Sequence, residues 1–514
     1  MRSLRSSQPR VAPYEASGSA RGSASDVEGV IVASTSDGIR VRFARRSTRG
    51  VLLGMSWPQL VVVALALTVF VLAIYLGGGT TAVRLSPAWL GPLLIAFVRV
   101  NGRAVIEWTP VAVHFSVRLL RRQTSYRATP TRPRPVGTLA LPGDAARLRQ
   151  YVHEASGAVM VHDPHARSLT AGVRVHARNW ILAEPAEQDR RAAEWGNLLA
   201  SVCSGSGHIG RLQVLERTLP ESGESAEAYW REHGRDDGSW MSESYKQLLT
   251  SAAPASERHE TLISLTLDMK AAARSIRDAG GGVVGAAEVL AQQLSLFAVG
   301  LAALELRYDG WLTPADLAVI LRGSYDPGSS DALAKHAVGR DLRSAGPLAI
   351  EEDWGHFRAD SAWHCVLWVS EWPRVDVPVN FLWPLLLTSG VRRTVSVTME
   401  PVPQHDALKD VSRELIDHES DARQRAKFDM MTTERQRREW SDAHQREAEL
   451  AGGAGDMRYA GFVVVTASDH ESLKTAVQHV TTAAARAHCE LRVLWGEQAQ
   501  AFTAGALPLG RGLS

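Results

Sequence analysis

The residues of this 514-residue chain whose types and spacing could do chemistry fall into four groups, and each also has a plainer reading. His162, Asp163 and His165 put two imidazoles and a carboxylate close together, as a metal site would. Yet D-P-H is also good turn chemistry, because an Asp side chain bonds the backbone that follows it, and the turn is the favoured reading. Gly280–Gly282 resemble a phosphate loop only in composition. A P-loop needs a preceding strand and a Gly-Lys-Ser/Thr ending, which the chain lacks, so the glycines read as a helix break. Cys203, Cys365 and Cys489 lie far apart with no C-x-x-C, which argues against zinc or a disulfide framework. Glu351, Glu352 and Asp353 are adjacent in sequence and would point different ways on a regular element. They read as surface carboxylates, not as an acid/base pair. With no nucleophile elbow and no H-E-x-x-H, no catalytic, cofactor-binding or metal-ligating residue is assigned and a non-enzyme is expected. Net charge is +2, so bulk charge predicts no direct nucleic-acid contact.

The elements that carry these residues begin with an apolar stretch. No charged residue occurs from Val51 to Val83. Its most apolar part, Leu60 to Leu76, would span about 26 Å as a helix, close to a hydrocarbon core. Trp57 and Tyr75 stand near its ends, where aromatic rings favour the interface. A second stretch, Leu85 to Val98, is marginal in length and contains Pro87 and Pro92. The expected membrane anchor residues are Trp57, Leu60, Phe70, Tyr75, Leu76, Trp89 and Phe97. Arginines crowd both flanks: Arg40, Arg42, Arg45, Arg46 and Arg49 before, then Arg99, Arg103, Arg118, Arg121, Arg122 and Arg127 after. The loop Gly77–Arg84 carries only Arg84. This asymmetry predicts a multi-pass protein of a bacterial inner membrane with both termini cytoplasmic. Val105 to Leu120 is apolar with a basic end. It fits either an amphipathic helix on the inner leaflet or a helix packed on the soluble part.

The expected fold class is α+β: a two-segment transmembrane hairpin, then a cytoplasmic mixed α+β domain ending in a ferredoxin-like βαβ unit. The expected organisation is a disordered tail at 1–40, the hairpin and juxtamembrane helix at 41–126, and a proline-rich linker at 127–144. An α+β domain follows at 145–403 with a helical insert at about 268–325, then one long charged helix at 404–452 and the βαβ unit at 456–514. Strands are expected within 157–175 and at 210–218, 260–268, 363–372 and 391–399 from their alternating or apolar runs. Val289–Leu304 contains Gln292 and Gln293 and reads as a buried core helix, not as a third span. Thr313-Pro314-Ala315-Asp316 is a helix start. In the last unit, Tyr459–Thr466 is a strand, Ser468 with Glu471 forms a capping box, and Cys489–Trp495 is the next strand. Two regions offer partner surface: the aromatic segment Trp372–Leu387, through Trp372, Phe381 and Trp383, and the charged helix, through Arg435, Arg438 and Trp440.

The ending resembles the amino-terminal domain of the conjugative type IV secretion ATPase. The resemblance lies in YAGFVVVTASD, a helix opening near ESL, ELRVLWGEQ and a closing AFTAGALPLG, preceded by a long charged helix. The hairpin is similar to the small two-span subunit that partners that ATPase. From about Arg42 onward the chain resembles an uncharacterised actinobacterial family of type IV secretion-like membrane proteins. The P-loop motor that follows in those ATPases has no counterpart here, so no catalytic residue carries over. The resemblance implies an inner-membrane scaffold that positions a separate cytoplasmic P-loop ATPase among other membrane channel subunits in the lipid bilayer, with homo-oligomerisation left open. Two alternatives stand beside it: a type VII EccE-like membrane subunit, which also has two amino-terminal spans and a cytoplasmic domain, and a membrane-bound enzyme of unknown chemistry.

Overall fold

The computed structural model describes residues 27–35, 38–45, 57–100, 103–129, 137–176, 180, 182–204, 208–220, 224–252, 257–329, 341–427 and 434–512. Strands β1 (Val27–Thr35) and β2 (Gly38–Arg45) precede helices α1 (Trp57–Arg84) and α2 (Ser86–Phe97). The two-residue strands β3 (Arg99–Val100) and β4 (Arg103–Ala104) lead to α3 (Val105–Leu120). The body opens with β5 (Ser125–Arg127), β6 (Arg149–Val152), β7 (Val159–Asp163), β8 (Ser168–His176), α4 (Pro185–Ser204) and β9 (Ile209–Pro220). Then come α5 (Glu224–His233), α6 (Trp240–Ala252), β10 (Glu257–Asp268), α7 (Ala273–Asp278), α8 (Gly282–Ala303), β11 (Arg307–Trp311) and α9 (Pro314–Tyr325). It continues with β12 (Ala349–Glu352), β13 (Phe357–Ala359), β14 (Ala362–Glu371), β15 (Val377–Pro378), α10 (Trp383–Leu386) and β16 (Arg392–Val402). The last elements are α11 (Gln404–Lys427), α12 (Glu434–Ala451), β17 (Asp456–Ala467), α13 (His470–Arg486), β18 (Glu490–Val493) and α14 (Gln498–Gly505).

One 16-stranded sheet organises the body, with the path β5-β12-β13-β14-β17-β16-β9-β10-β8-β7-β6. That order hides a duplication. In the first half β7 pairs β8, β8 pairs β10, β10 pairs β9, and β11 adds to β8. In the second half β13 pairs β14, β14 pairs β17, β17 pairs β16, and β18 adds to β14. Each pairing has a counterpart, and all are antiparallel. The halves meet where β9 runs antiparallel to β16, from Arg393 opposite Thr218 to Met399 opposite Leu212. A helical pair interrupts the equivalent hairpin in each half: α5–α6 between β9 and β10, and α11–α12 between β16 and β17. Because β9 and β16 are antiparallel, the two pairs leave opposite ends of the sheet.

Central strands are covered on both faces, so their side chains alternate between two apolar layers. Val463 and Val465 of β17 join Ile263, Leu265 and Leu267 of β10 beneath α4, α8, α10 and α13. Val464 and Leu262 face the other way, against Leu317 and Leu321 of α9 and Phe502 of α14. This is why YAGFVVVT reads as a continuous apolar run. Helix α8 is a core helix, with Leu290, Leu294, Phe297 and Leu301 buried on the sheet. Gly280, Gly281 and Gly282 all have positive φ and separate α7 from α8, so the glycines are a helix break as expected.

The structure redraws several boundaries. Residues 27–35 and 38–40, placed in the tail, are strand; Val27 pairs with Tyr459. Residues 1–26 lie outside the described residues. Leu139 and Leu141, placed in the linker, are buried core. The charged stretch is not one helix but two, α11 and α12, packed antiparallel around Ala407, Val411 and Leu450, with residues 428–433 outside the described set. The last unit keeps its expected element order, and β14 lies between β17 and β18, antiparallel to both. Its helix is capped by Asp469, which accepts from Ser472 N–H at 2.9 Å, one residue beyond the expected Ser468. Helix α9 starts at Thr313 as expected, and Asp316 closes a capping box with it.

Candidate membrane anchor and interaction surfaces

Helix α1 is broken within its assigned span. Gly77 and Gly78 leave helical geometry, and Gly78 has φ 66° with ψ −164°, a conformation open in practice only to glycine. The chain reverses there. The Gln59 side chain, buried, donates to Ala96 O at 2.9 Å, and Phe70 meets Trp89 edge to face at 4.9 Å. Gln59 and Ala96 lie equally far from Gly77–Gly78, so the two legs run back side by side. The second leg thus starts at Gly79 and runs to Phe97, with a local break at Leu85. The two legs measure about 30 and about 28 Å at helical rise, so both match a hydrocarbon core. This removes the length problem of the Leu85–Val98 segment, because Gly79–Arg84 belongs to the leg and not to the loop. Ala66, Ala73, Ala82 and Ala96 are buried between the legs, where small side chains allow close approach. Tyr75, Leu76 and Phe97 are exposed and point away from the pair; Leu60, Phe70 and Trp89 are half-buried within it. The Trp57 side chain lies outside the described residues. Leu65, Leu67, Val71 and Leu94 are also exposed, so the outer surface of the pair is apolar, as lipid contact requires.

Helix α3 joins this pair to the body. Trp108 and Phe115 pack on Trp354, at ring distances of 6.4 and 5.1 Å. Arg118 donates to Gly496 O at 3.1 Å and pairs with Glu352. The Glu352 side chain is 1% exposed and also accepts Ala499 N–H at 3.1 Å. Burial raises this carboxyl above the usual carboxylate range, against the pull of Arg118. Glu352 was read as a surface carboxylate; it is instead the inward-facing residue of β12, whose burial alternates along the strand.

The residues assigned to partner surface in the aromatic segment pack inward to different degrees. Trp372 is buried, stacked on Phe43 of β2 at 5.2 Å and edge-on to Tyr459 at 5.5 Å. It therefore belongs to the core. Phe381 joins the same cluster through Phe43 at 5.4 Å. Trp383 opens α10 and is half-buried. The buried Arg393 holds this segment in place by donating to the carbonyls of Leu385, Leu386, Thr388 and Val391. On α12, Trp440 is half exposed and lies against His444. The side chains of Arg435 and Arg438 lie outside the described residues. Helix α12 is pinned to the sheet by the buried Arg446, which bonds Asp456 at 2.5 Å.

Two of the groups singled out in the sequence, Asp163 and the cysteines, have a plain structural setting. Asp163 accepts the N–H groups of His165 and Ala166, closing the β7–β8 turn. Burial pushes the thiols of Cys203, Cys365 and Cys489 up to about 12, away from reactivity. Among the described residues no cluster of three His, Cys, Asp or Glu could hold a metal. Two buried polar residues, not anticipated from the sequence, bind the halves together. His364 of β14 bonds Thr466 Oγ1 at 2.9 Å and Tyr325 O, at the end of α9, at 3.1 Å. Gln213 of β9 donates to Ser396, Ala504 O and Leu507 O and accepts Gly510 N–H. Each half thus anchors the carboxy-terminal end of the other half's last helix.

A family model described as "Putative type VII ESX secretion system translocon, EccE" matches residues 255–369. The match runs from β10 into β14, covering the end of the first half and the start of the second. No curated protein matches the chain. The matched stretch is thus similar to a family of secretion-system membrane subunits. The match and the apolar α1–α2 pair together point to a membrane protein.

Proposed function

We propose that this chain is a non-catalytic, multi-pass subunit of a type VII-like secretion translocon. In this reading the α1–α2 pair anchors it in a bacterial inner membrane. The duplicated α+β body lies on the cytoplasmic side with both termini. The observation that carries the reading is the EccE match over residues 255–369. It favours the second of the two secretion readings over the type IV one, which receives no support from the comparisons. The partners are other membrane subunits and a cytoplasmic P-loop ATPase. The direct test is deletion of the gene in its host with plasmid complementation. Loss of type VII export, restored by the full chain, is expected; unchanged export with intact type IV-like transfer defects would overturn the assignment.

A further inference from the structure

We infer that α3 lies in the headgroup–acyl boundary of the cytoplasmic leaflet and fixes the attitude of the body on anionic lipid. This rests on the membrane reading above and adds the surface that the body itself presents to the bilayer. Helix α3 has two faces. Trp108, Phe115 and Arg118 point into the body. On the opposite side, Val113, Val117 and Leu120 recur at i, i+4 and i+7 and are exposed, at 62, 38 and 84%. An apolar stripe of this kind in water calls for a cover.

Position and charge select lipid as that cover. The chain between Phe97 and Val105 is short and tied by Val105 N–H to Val98 O at 2.9 Å. Helix α3 also touches both α1 and α2. With those two helices in the bilayer, the start of α3 sits at the membrane surface and cannot move away from it. Arg121 and Arg122 follow the stripe directly and are exposed, placed for anionic headgroups. Because Arg118 locks the other face to Glu352, a leaflet-bound α3 does not merely tether the body; it sets which side faces the membrane.

The test uses the full chain in vesicles of phosphatidylcholine and phosphatidylglycerol. Val113→Cys, Val117→Cys, Leu120→Cys and His114→Cys are made singly in a Cys203→Ser background and labelled at neutral pH with an environment-sensitive fluorophore; Cys365 and Cys489 are shielded by burial. The expected result is emission shifted to shorter wavelength at 113, 117 and 120, lost on adding nitroxide-bearing lipid, with neither change at 114. Water-like emission at the stripe in a chain that resists alkaline extraction overturns the inference and leaves the membrane reading standing. A shifted emission that nitroxide lipid does not quench means protein covers the stripe, and also overturns it. A chain that extracts at alkaline pH sinks the membrane reading itself.

Discussion

Replacing Arg118 by Leu isolates the joint between membrane anchor and body. The substitution keeps much of the apolar stem but removes the cation facing Glu352, whose side chain is almost fully buried. Stranding one partner of a buried pair costs about 3–5 kcal/mol, and the 15% exposure of Arg118 places this one near the lower end. About 3 kcal/mol is over a hundredfold in an opening equilibrium. Hydrogen exchange of the α3 amides in the reconstituted full chain reads that equilibrium. Arg118→Leu should speed their exchange by roughly two orders of magnitude at pH 7. Exchange in the central strand β17 should stay unchanged. The effect should shrink as pH falls, because the isolated Glu352 carboxyl, already raised by burial, takes up a proton and loses its charge. Adding Glu352→Leu should recover much of the protection. Wild-type exchange in the Arg118→Leu chain at pH 7 would refute the reasoning.

Three further outcomes follow from the geometry. The buried His364 is held near pKa 4 by desolvation, against about 6.5 unfolded. The unfolded chain therefore binds the extra proton, and stability should fall by about 3 kcal/mol as pH drops from 6.5 to 4; His364→Gln should flatten that slope in pH-dependent unfolding. Gln213→Leu leaves the Ala504 and Leu507 carbonyls and the Gly510 N–H without this partner. Limited proteolysis should then release the segment after α14 first, at an expected cost of about 1–3 kcal/mol. Gly79→Cys should label from outside intact cells with an impermeant thiol reagent, and Arg122→Cys only after permeabilisation; equal labelling of both would exclude a two-leg crossing.

How much of this was legible depended on whether a residue's role was local. The apolar run Leu60–Leu76, the turn at Asp163, the glycine break at Gly280–Gly282 and the Thr313 cap are set by neighbours in sequence, and they could be read. The reversal at Gly77–Gly78 was half visible: the glycines stood out, but Thr80–Arg84 read as loop, because a charged Arg84 looks like an end. Glu352 was hidden in the run Glu351-Glu352-Asp353. Only the strand period of β12 reveals that the second carboxylate turns inward. The aromatic segment was ambiguous because its cover, Phe43, comes from far upstream. The duplication left no sequence trace because its halves share pairing order while differing in what lies between strands. Helix α4 separates β8 from β9, whereas β15 and the short α10 separate β14 from β16.

The measurement closest to the central claim is affinity isolation of the tagged full chain from native membranes under mild detergent, with mass spectrometry of the retained proteins. Recovery of the membrane subunits and P-loop ATPase of a type VII apparatus, in constant ratio across a sizing column, is the predicted result. Recovery of a type IV coupling ATPase instead, or of the chain alone from a strain with active type VII export, would contradict it.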